Sequence, residues 1–279
     1  MDLTDVIEVV RITDVGLVRE RNEDMVASDM SIGFVALADG MGGYKSGEVA
    51  SEIAVLTIVS DLKESLLGFE PELMDSESSL KASQQLMKES VDRANRSIYE
   101  IANHYPECAG MGTTVVLGLF SDNKLISAHV GDSRVYRFRN EVFTQITEDH
   151  SYVQEQLNEG LITKEQAYNS ENRNLVTRAL GIEPEVDLDM HAYDVEVGDV
   201  YLFCSDGLTD FVDDEEIRLT LSALHANLTF AANRLVNLAN SKGGQDNISI
   251  IIVKILNDFS AQREYVKRKW YENLIPWAK

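Results

Sequence analysis

The feature that most constrains the fold is a series of seven short apolar runs, each bounded by Gly, Asp or Asn. They cover residues 7–16, 31–39, 112–120, 124–131, 133–139, 199–205 and 247–256. Their Val, Ile and Phe content is typical of β-strands. Helical spacing of apolar residues appears at 47–66, about 79–102 and about 214–240. Successive strands with a few grouped helices predict an α+β fold with mainly antiparallel sheets.

Two segments depart from this pattern. Residues 147–180 are polar and partly helical, which predicts an inserted flap. Residues 255–279 hold both tryptophans, Trp270 and Trp277, and more basic than acidic side chains. The sequence therefore predicts a main domain over 1–254 and a C-terminal basic and aromatic tail. The tail is either a surface helix that closes the fold or an element that docks a partner or a membrane surface.

Composition limits the partners and the compartment. The chain has 279 residues, is 44% hydrophobic and carries a formal net charge of −22. Such a surface repels phosphates, so we do not expect a nucleic-acid partner. No apolar run approaches the roughly 20 residues of a transmembrane helix, and the N-terminus lacks a signal-peptide pattern. Two cysteines fit a reducing compartment, and we expect a cytoplasmic protein.

The stretch ALADGMGGYKSGE (36–48) raises the question of a phosphate-binding loop. A nucleotide P-loop ends in Gly-Lys-Ser or Gly-Lys-Thr, whereas here Tyr44 precedes Lys45 and the glycine spacing differs. We therefore expect the glycines to allow a sharp turn and a close backbone approach. The chemically important residue becomes Asp39, at the end of the preceding apolar run.

Aspartates recur at the ends of the predicted strands. Asp39, Asp132 and Asp206 each follow an apolar run, and Asp246 directly precedes one. In antiparallel sheets the ends of some strands and the starts of others share one edge, so all four can meet there. Asp210, four residues after Asp206, is a further candidate, and it is also a candidate N-cap for the helix that contains EEI (215–217), a role compatible with metal binding. A single Asp-Gly at a strand end is usually only a turn.

Clustered carboxylates raise one another's pKa unless a cation compensates their charge. Oxygen ligands without His or Cys suit hard ions such as Mg²⁺ or Mn²⁺. Two such ions hold a phosphoryl group and activate a water molecule. A cysteine phosphatase is excluded, because it needs Cys and Arg six residues apart, and the positions six after Cys108 and Cys204 are Thr and Asp.

Eight motifs in order carry a family resemblance. They are GLVRERNEDMV (16–26), ALADGMGGYKSGEVAS (36–51), MGTTVV (111–116), AHVGDSRVYR (128–137), ITEDHS (146–151), LVTRALG (175–181), LFCSDGLTD (202–210) and GGQDNISIIIV (243–253). Together they resemble the metal-dependent PPM family of serine/threonine protein phosphatases, the PP2C type in its bacterial form, over about 7–254. The resemblance implies a four-layer α-β-β-α sandwich of two antiparallel sheets flanked by helices.

The resemblance also assigns metal ligands. Two ions would be held by the side chains of Asp39, Asp206 and Asp246 and by the backbone carbonyl of Gly40. A third, weaker site would use Asp132 and Asp210 together with Asp206. Glu23 joins this metal centre. Among these residues, Asp39 and Asp206 are assigned as catalytic.

Three further residues take supporting or catalytic roles by resemblance. Arg19 matches the catalytic arginine that binds the substrate phosphate, a role suited to the planar guanidinium. Its alternative is an exposed ion-pair partner. Asp24 matches a carboxylate that orders water beside the metals, and Asn247 lies next to Asp246 in a similar supporting position.

The implied reaction is direct hydrolysis of phosphoserine and phosphothreonine on proteins by a metal-activated water, without a phosphoenzyme. The implied partners are phosphorylated proteins, including a Ser/Thr kinase or its targets, so that the enzyme counteracts kinase signalling. Met41 and Tyr44 stand where many relatives have His, and we expect a metal-bound water to replace that acid. The competing classes are an inactive binding module of this fold, a hydrolase of small phosphoesters or nucleotides, and an acidic scaffold.

Two expectations concern histidines and the flap. His129 alternates within an apparent strand, and we expect it to be packed rather than catalytic. Glu148, Asp149 and His150 are expected to begin the flap helix. Because loops on a rigid scaffold carry specificity, the flap is expected to select substrates.

Overall fold

The structure is a computed structural model that describes residues 2–43, 46–66, 74–168 and 170–261. The strands in these ranges are β1 Ile7–Asp14, β2 Asp24–Asp29, β3 Phe34–Met41, β4 Gly112–Thr113, β5 Val115–Ser121, β6 Lys124–Val130, β7 Arg134–Arg139, β8 Val142–Gln145, β9 Asp189–Asp194, β10 Val200–Cys204 and β11 Ile248–Ile255. The helices are α1 Ser46–Leu66, α2 Ser76–His104, α3 Tyr152–Asn158, α4 Lys164–Tyr168, α5 Asp206–Thr209, α6 Asp214–Leu224 and α7 Leu228–Ser241.

Two antiparallel sheets form the middle of the molecule. Sheet I has the order β1-β11-β10-β7-β8, and sheet II has the order β2-β3-β5-β6-β9, with β4 paired to β3. In sheet I, Asp14 is opposite Ile248 across β1 and β11. In sheet II, Asp24 is opposite Asp39 across β2 and β3. These registers bring the start of β2 and the end of β3 to the same edge.

Alternating residues of β3 show how the layers are built. Phe34, Ala36 and Ala38 pack in the cluster that also holds buried residues of α1 and α2. Val35 and Leu37 pack in the cluster between the sheets. A third cluster joins sheet I to α6 and α7. The prediction of a four-layer α-β-β-α sandwich is confirmed, and the central runs read as continuously apolar because both strand faces are covered.

The strands that the sequence did not reveal lie at sheet edges. β2, β8 and β9 each end a sheet, and most of their residues are partly exposed. Because an edge strand has fewer packed neighbours, its sequence needs no continuous apolar run. The segments DMVASD and DMHAYD accordingly lack the pattern that marks the central strands.

The predicted helix over 214–240 is wrong as a single element, since α6 and α7 are separated at 225–227. The Asn227 side chain accepts a hydrogen bond of 3.0 Å from Phe230 N and so starts a new helix. The N-cap of α6 is Asp213, which forms a capping box with Glu216. The candidate role of Asp210 as that cap is therefore wrong.

The flap segment holds α3 and α4, and a bridge between Ser151 and Val176 joins its two sides. The expectation that Glu148, Asp149 and His150 begin the helix is wrong. α3 begins at Tyr152 with Ser151 as its N-cap. His150 is instead buried, as is His129, which was expected to be packed.

Two expectations fall on residues that the structure does not describe. Tyr44 lies outside the described residues, and of the tail only 255–261 is described. The division into a domain over 1–254 and a tail stays a prediction. Within the described ranges, no helix has both the length and the apolar character needed to cross a bilayer.

Candidate metal centre

Aspartates from both sheets meet at one edge of the sandwich. Asp24 begins β2 and Asp39 lies near the end of β3, directly opposite it. Asp206 follows β10, and Asp246 stands two residues before β11, so sheet I contributes at the same edge. Asp132 lies in the turn after β6. The charges of Asp24, Asp206, Asp132 and Asp246 all act on Asp39, so these five carboxyl groups lie close together.

The electrostatics of this cluster are unfavourable without a cation. Loss of hydration and the charges of Asp24 and Asp206 raise the pKa of Asp39 well above its usual range. Loss of hydration and the charges of Asp132 and Asp210 do the same to the pKa of Asp206. Burial raises the pKa of Asp24 to about 6. Burial and the charge of Asp149 raise the pKa of Asp132 to about 7.

Among the described residues, two carboxylate oxygens of the cluster have no hydrogen-bond partner. Asp24 Oδ1 and Asp206 Oδ1 are buried and accept no hydrogen bond from the described part of the chain. An unpartnered buried oxygen is costly unless something binds it. Oxygen atoms from several carboxylates are the donor set of Mg²⁺ and Mn²⁺. The residues present therefore fit the divalent ions that the resemblance implies.

A serine pair holds the cluster across the two sheets. Ser205 Oγ donates a hydrogen bond of 3.0 Å to Asp24 Oδ2. Ser205 Oγ also accepts a hydrogen bond of 3.0 Å from Ser249 N. Because Asp24 belongs to sheet II while Ser205 and Ser249 belong to the β10 and β11 side, these bonds fix the spacing of the sheets beneath the cluster.

The loop before β2 is fixed by Asn247. Its Oδ1 accepts a hydrogen bond of 2.7 Å from Glu23 N, while its Nδ2 donates to Val15 O at 3.0 Å and to Arg21 O at 2.8 Å. Asn247 thus ties this loop to the start of β11, beside Asp246. Burial, opposed by the charge of Arg19, raises the pKa of Glu23.

Arg19 lies at the rim of the cluster. Its Nη2 donates a hydrogen bond of 2.8 Å to Asp246 Oδ2, and half of its side chain (50%) is exposed. The exposed ion pair that was the alternative role of Arg19 does form, and the partner of Arg19 in it is Asp246, one of the clustered aspartates. The guanidinium is therefore both close to the cluster and accessible from outside.

The flap reaches Asp210. Asn174 Nδ2 donates a hydrogen bond of 2.9 Å to Asp210 Oδ2, and Arg173 Nη2 lies 3.9 Å from the same oxygen. Burial raises the pKa of Asp210. A cavity of about 550 Å³ opens beside this contact, between the flap and α6, and its lining includes Val153, Leu157, Lys164, Arg173 and Asp214.

Sequence reasoning missed several residues that support this site. Asn174 lies in a polar stretch with no pattern that points to Asp210. Ser205 stands in the quoted motif LFCSDGLTD, but only its position behind Asp24 gives it a role. Asp39, Asp132, Asp206 and Asp246 are, in contrast, brought together as their positions at strand ends predicted, and Asp24, which only the resemblance assigned, lies among them.

Comparison with known proteins decides the family. A family model described as protein phosphatase 2C matches residues 19–239. The chain belongs to the protein phosphatase 2C family. Serine/threonine phosphatase stp of Listeria monocytogenes is 36% identical to this 2C-type phosphatase over 245 residues, which are 87% of this chain and 93% of the relative.

Solved structures agree with this assignment. The crystal structure of the serine/threonine phosphatase PstP/Ppp of Mycobacterium tuberculosis has a TM-score of 0.79 and 37% identity, covering 90% of this chain and 100% of that chain. The catalytic domain of PstP in complex with two manganese ions has a TM-score of 0.77 and 35% identity, covering 90% and 99%. The predictions of a PPM-family fold and of a protein-serine/threonine phosphatase are confirmed.

Proposed function

We propose that this 2C-type phosphatase removes phosphate from phosphoserine and phosphothreonine on proteins at a centre of two divalent ions and a third, weaker one. The observation that carries the proposal is the meeting of at least five aspartates from both sheets, two of which hold buried oxygens without a partner within the described ranges. Such a cluster is stable in its charged form only when cations bind it.

In this proposal two of the divalent ions would be held by the side chains of Asp39, Asp206 and Asp246 and by the Gly40 carbonyl. Asp132 and Asp210 hold the third ion together with Asp206. Glu23 completes the centre above the first turn of α1. When bound, the ions supply an activated water and offset the charge of the phosphate. We expect Mn²⁺ or Mg²⁺, since the donor atoms are carboxylate and carbonyl oxygens.

The protein's own groups orient the substrate. Arg19 offers a half-exposed guanidinium beside Asp246, where it can bind two phosphate oxygens in the plane of its fork. Asp24 and Asn247 hold the strands and the loop around the cluster through the bonds described above. Met41 carries no proton to donate, so a water molecule in the cleft supplies the proton of the leaving Ser or Thr oxygen.

The flap and the adjoining cavity are the proposed specificity element. Because Asn174 contacts Asp210, residues that flank the phosphorylated side chain would lie against the flap as the phosphate enters the centre. We propose phosphorylated proteins of the cytoplasm as substrates, among them a Ser/Thr kinase or its targets, which makes the enzyme an antagonist of kinase signalling.

The tail keeps its two proposed roles. Truncation after residue 254 that preserves peptide dephosphorylation and removes an interaction would support docking. Loss of solubility or of cooperative melting would instead support a segment that closes the fold.

The experiment compares substrates and ions. We expect phosphate release from a phosphothreonine peptide in Mn²⁺ or Mg²⁺, and none in EDTA. Nucleotides and a small aryl phosphate serve as competing substrates. A kcat/KM for nucleotides well above that for phosphopeptides would contradict the proposed substrate class. Full activity in EDTA would contradict the metal centre.

A further inference from the structure

A second cluster lies next to the aspartates. His129, His150 and Asp189 carry potential ligand atoms that all lie within 4.8 Å of one another. The two imidazole rings are buried and stack with their centroids 4.6 Å apart. Two histidines and one carboxylate have the composition of a transition-metal site.

The hydrogen bonds assign the ring protons and argue against a metal. Gly131 N donates to His150 Nδ1 at 3.1 Å, so that nitrogen is an acceptor and the proton is on Nε2. His150 Nε2 lies 3.1 Å from Asp189 Oδ2 and donates to it. His129 Nε2 likewise donates to Glu148 O at 2.7 Å. The His150 nitrogen that faces Asp189 therefore has no lone pair for an ion.

His150 instead forms hydrogen bonds with the backbone of Gly131, the residue before the proposed metal ligand Asp132. Its ring accepts from Gly131 N, and its own N donates to Gly131 O at 2.9 Å. Gly131 has a φ of +107°, and a Cβ there would lie 2.6 Å from the Thr114 side chain. Asp132 is the next residue. Hydrogen bonds with His150 at both the N–H and the C=O of Gly131 thus hold the backbone conformation that directs Asp132 towards the other aspartates.

The other side of His150 is tied to the end of the flap segment. Asp189 accepts from His150 through Oδ2 and from Arg178 Nη1 at 3.2 Å through Oδ1. Thr177 N donates to His150 O at 2.8 Å. Burial lowers the pKa of His150, which keeps the ring neutral and this proton arrangement intact. A continuous chain of hydrogen bonds runs from Arg178 through Asp189 and His150 to the N–H of Gly131, the residue before Asp132.

We propose that His150 is a positioning residue for the third metal site. Its Nδ1 accepts the hydrogen bond that fixes the Gly131–Asp132 backbone. Its Nε2 is linked through Asp189 to Arg178, at the C-terminal end of the flap. This inference rests on the proposed function, because it requires that Asp132 binds an ion.

A matched pair of variants separates this role from simple packing. In His150→Asn the amide oxygen can occupy the place of Nδ1 and accept from Gly131 N. In His150→Gln the polar group reaches the place of Nε2 and leaves Gly131 N without its acceptor. Both remove the same ring, and both keep the backbone bond to Gly131 O. Mn²⁺ alone is titrated into the full-length chain by calorimetry and electron paramagnetic resonance, with melting temperatures measured alongside.

We expect His150→Gln to raise the dissociation constant of the weakest Mn²⁺ site at least tenfold, with the tighter sites unchanged. His150→Asn should stay within about threefold of the wild type. Equal losses in both variants, or none in either, would overturn the proposal. If the wild type itself binds no Mn²⁺ and releases no phosphate, the proposed function fails, which is a separate outcome from wild-type binding that His150→Gln leaves unchanged.

A measurement on the wild type does not depend on variants that fold. Nitrogen-15 NMR of the histidine side chains distinguishes the two neutral tautomers. We expect His150 to carry its proton on Nε2 with or without Mn²⁺. A proton on Nδ1, or a ring nitrogen that binds added Zn²⁺, would overturn the hydrogen-bond chain and restore the metal-site reading.

Discussion

Gly40 and Gly47 pack backbone against backbone, so closely that a Cβ on Gly40 would lie 2.0 Å from Gly47 O. This contact brings the first turn of α1 against the end of β3, next to Asp39. Gly40 N also donates to Glu23 O at 3.1 Å. Gly40 and Gly47 therefore serve a close approach of backbone segments within the protein, as the sequence predicts.

The first prediction follows from that contact. Gly40→Ala should lower the free energy of unfolding by about 3 kcal/mol or more, because the methyl group meets a backbone carbonyl that cannot move alone. The control is Gly43→Ala, where the added Cβ would meet no atom of the described residues within 4 Å. Its effect should be within about 0.5 kcal/mol. Urea denaturation of both variants in EDTA measures the difference, and equal stabilities would contradict the packing described.

The second prediction concerns Asp132 in the metal-free protein. Its folded pKa, about 7, lies above the ordinary 3.8. A raised carboxyl pKa means that the folded state holds the proton more tightly, so stability falls as pH rises from about 4 to about 7. Each raised pKa unit corresponds to about 1.4 kcal/mol. Because neighbouring carboxyls titrate together, we expect Asp132→Asn to be about 1–3 kcal/mol more stable than wild type at pH 8.

The measurement must isolate this contribution. Burial lowers the pKa of His129 and His150, so both add stability as pH rises towards 6.5, the opposite direction. The predicted quantity is therefore the difference between Asp132→Asn and wild type in EDTA, small near pH 4 and larger at pH 8. Asp187→Asn, at an exposed position, should show no such trend. A difference that shrinks with rising pH would contradict the sign.

The third prediction is proton release on metal binding. Ions bind the ionised carboxylates, so Mn²⁺ binding at pH 6 should displace protons from groups such as Asp24 and Asp132. At pH 8 fewer protons should be released. Calorimetry in two buffers of different ionisation enthalpy measures the number. Equal release at both pH values would show that the cluster does not titrate in this range.

How far the sequence predicts this fold depends on what covers each strand. β3, β5 and β11 are covered on both faces, so their apolar runs are visible in the sequence. The edge strands β2, β8 and β9 depend on pairing with a neighbour, which only the three-dimensional structure reveals. The separation of α6 from α7 has a local signal in Asn227, a capping residue within an otherwise helical pattern.

The fourth prediction concerns Arg19. Arg19→Ala should reduce kcat/KM for a phosphopeptide by about 10- to 100-fold, through loss of charge-assisted hydrogen bonds to phosphate. Arg19→Lys should recover only part of this, because an ammonium lacks the planar fork. The melting temperature should change little, since a half-exposed ion pair is worth about 1 kcal/mol or less. An unchanged kcat/KM in Arg19→Ala would remove this residue from phosphate binding.

The fifth prediction concerns Asn247. In Asn247→Asp the amide donor is lost, and the carbonyls of Val15 and Arg21 then face a carboxylate. We expect the free energy of unfolding to fall by about 2–4 kcal/mol. Asn257→Asp, at an exposed position, is the matched control. If both substitutions cost the same, Asn247 does not hold the loop that carries Glu23.

Some residues of the candidate site could be predicted from the sequence, and others could not, as was true of the strands. Asp39, Asp132, Asp206 and Asp246 were predictable because strand ends in antiparallel sheets meet at an edge. His150, Asn174 and Ser205 were not, since each acts through a partner far away in the chain. His150 meets Gly131, Asn174 meets Asp210, and Ser205 meets Asp24. Sequence spacing does not encode such pairs.

The most direct test of the proposed metal centre is Mn²⁺-dependent phosphate release from a phosphothreonine peptide by wild type, Asp39→Asn and Asp206→Asn. Melting curves in EDTA show that each variant is folded. We expect metal-dependent release by the wild type and a loss of at least about 100-fold in both variants, which remain at least as stable without metal. Release by either folded variant at the wild-type rate would contradict a metal centre built on these two aspartates.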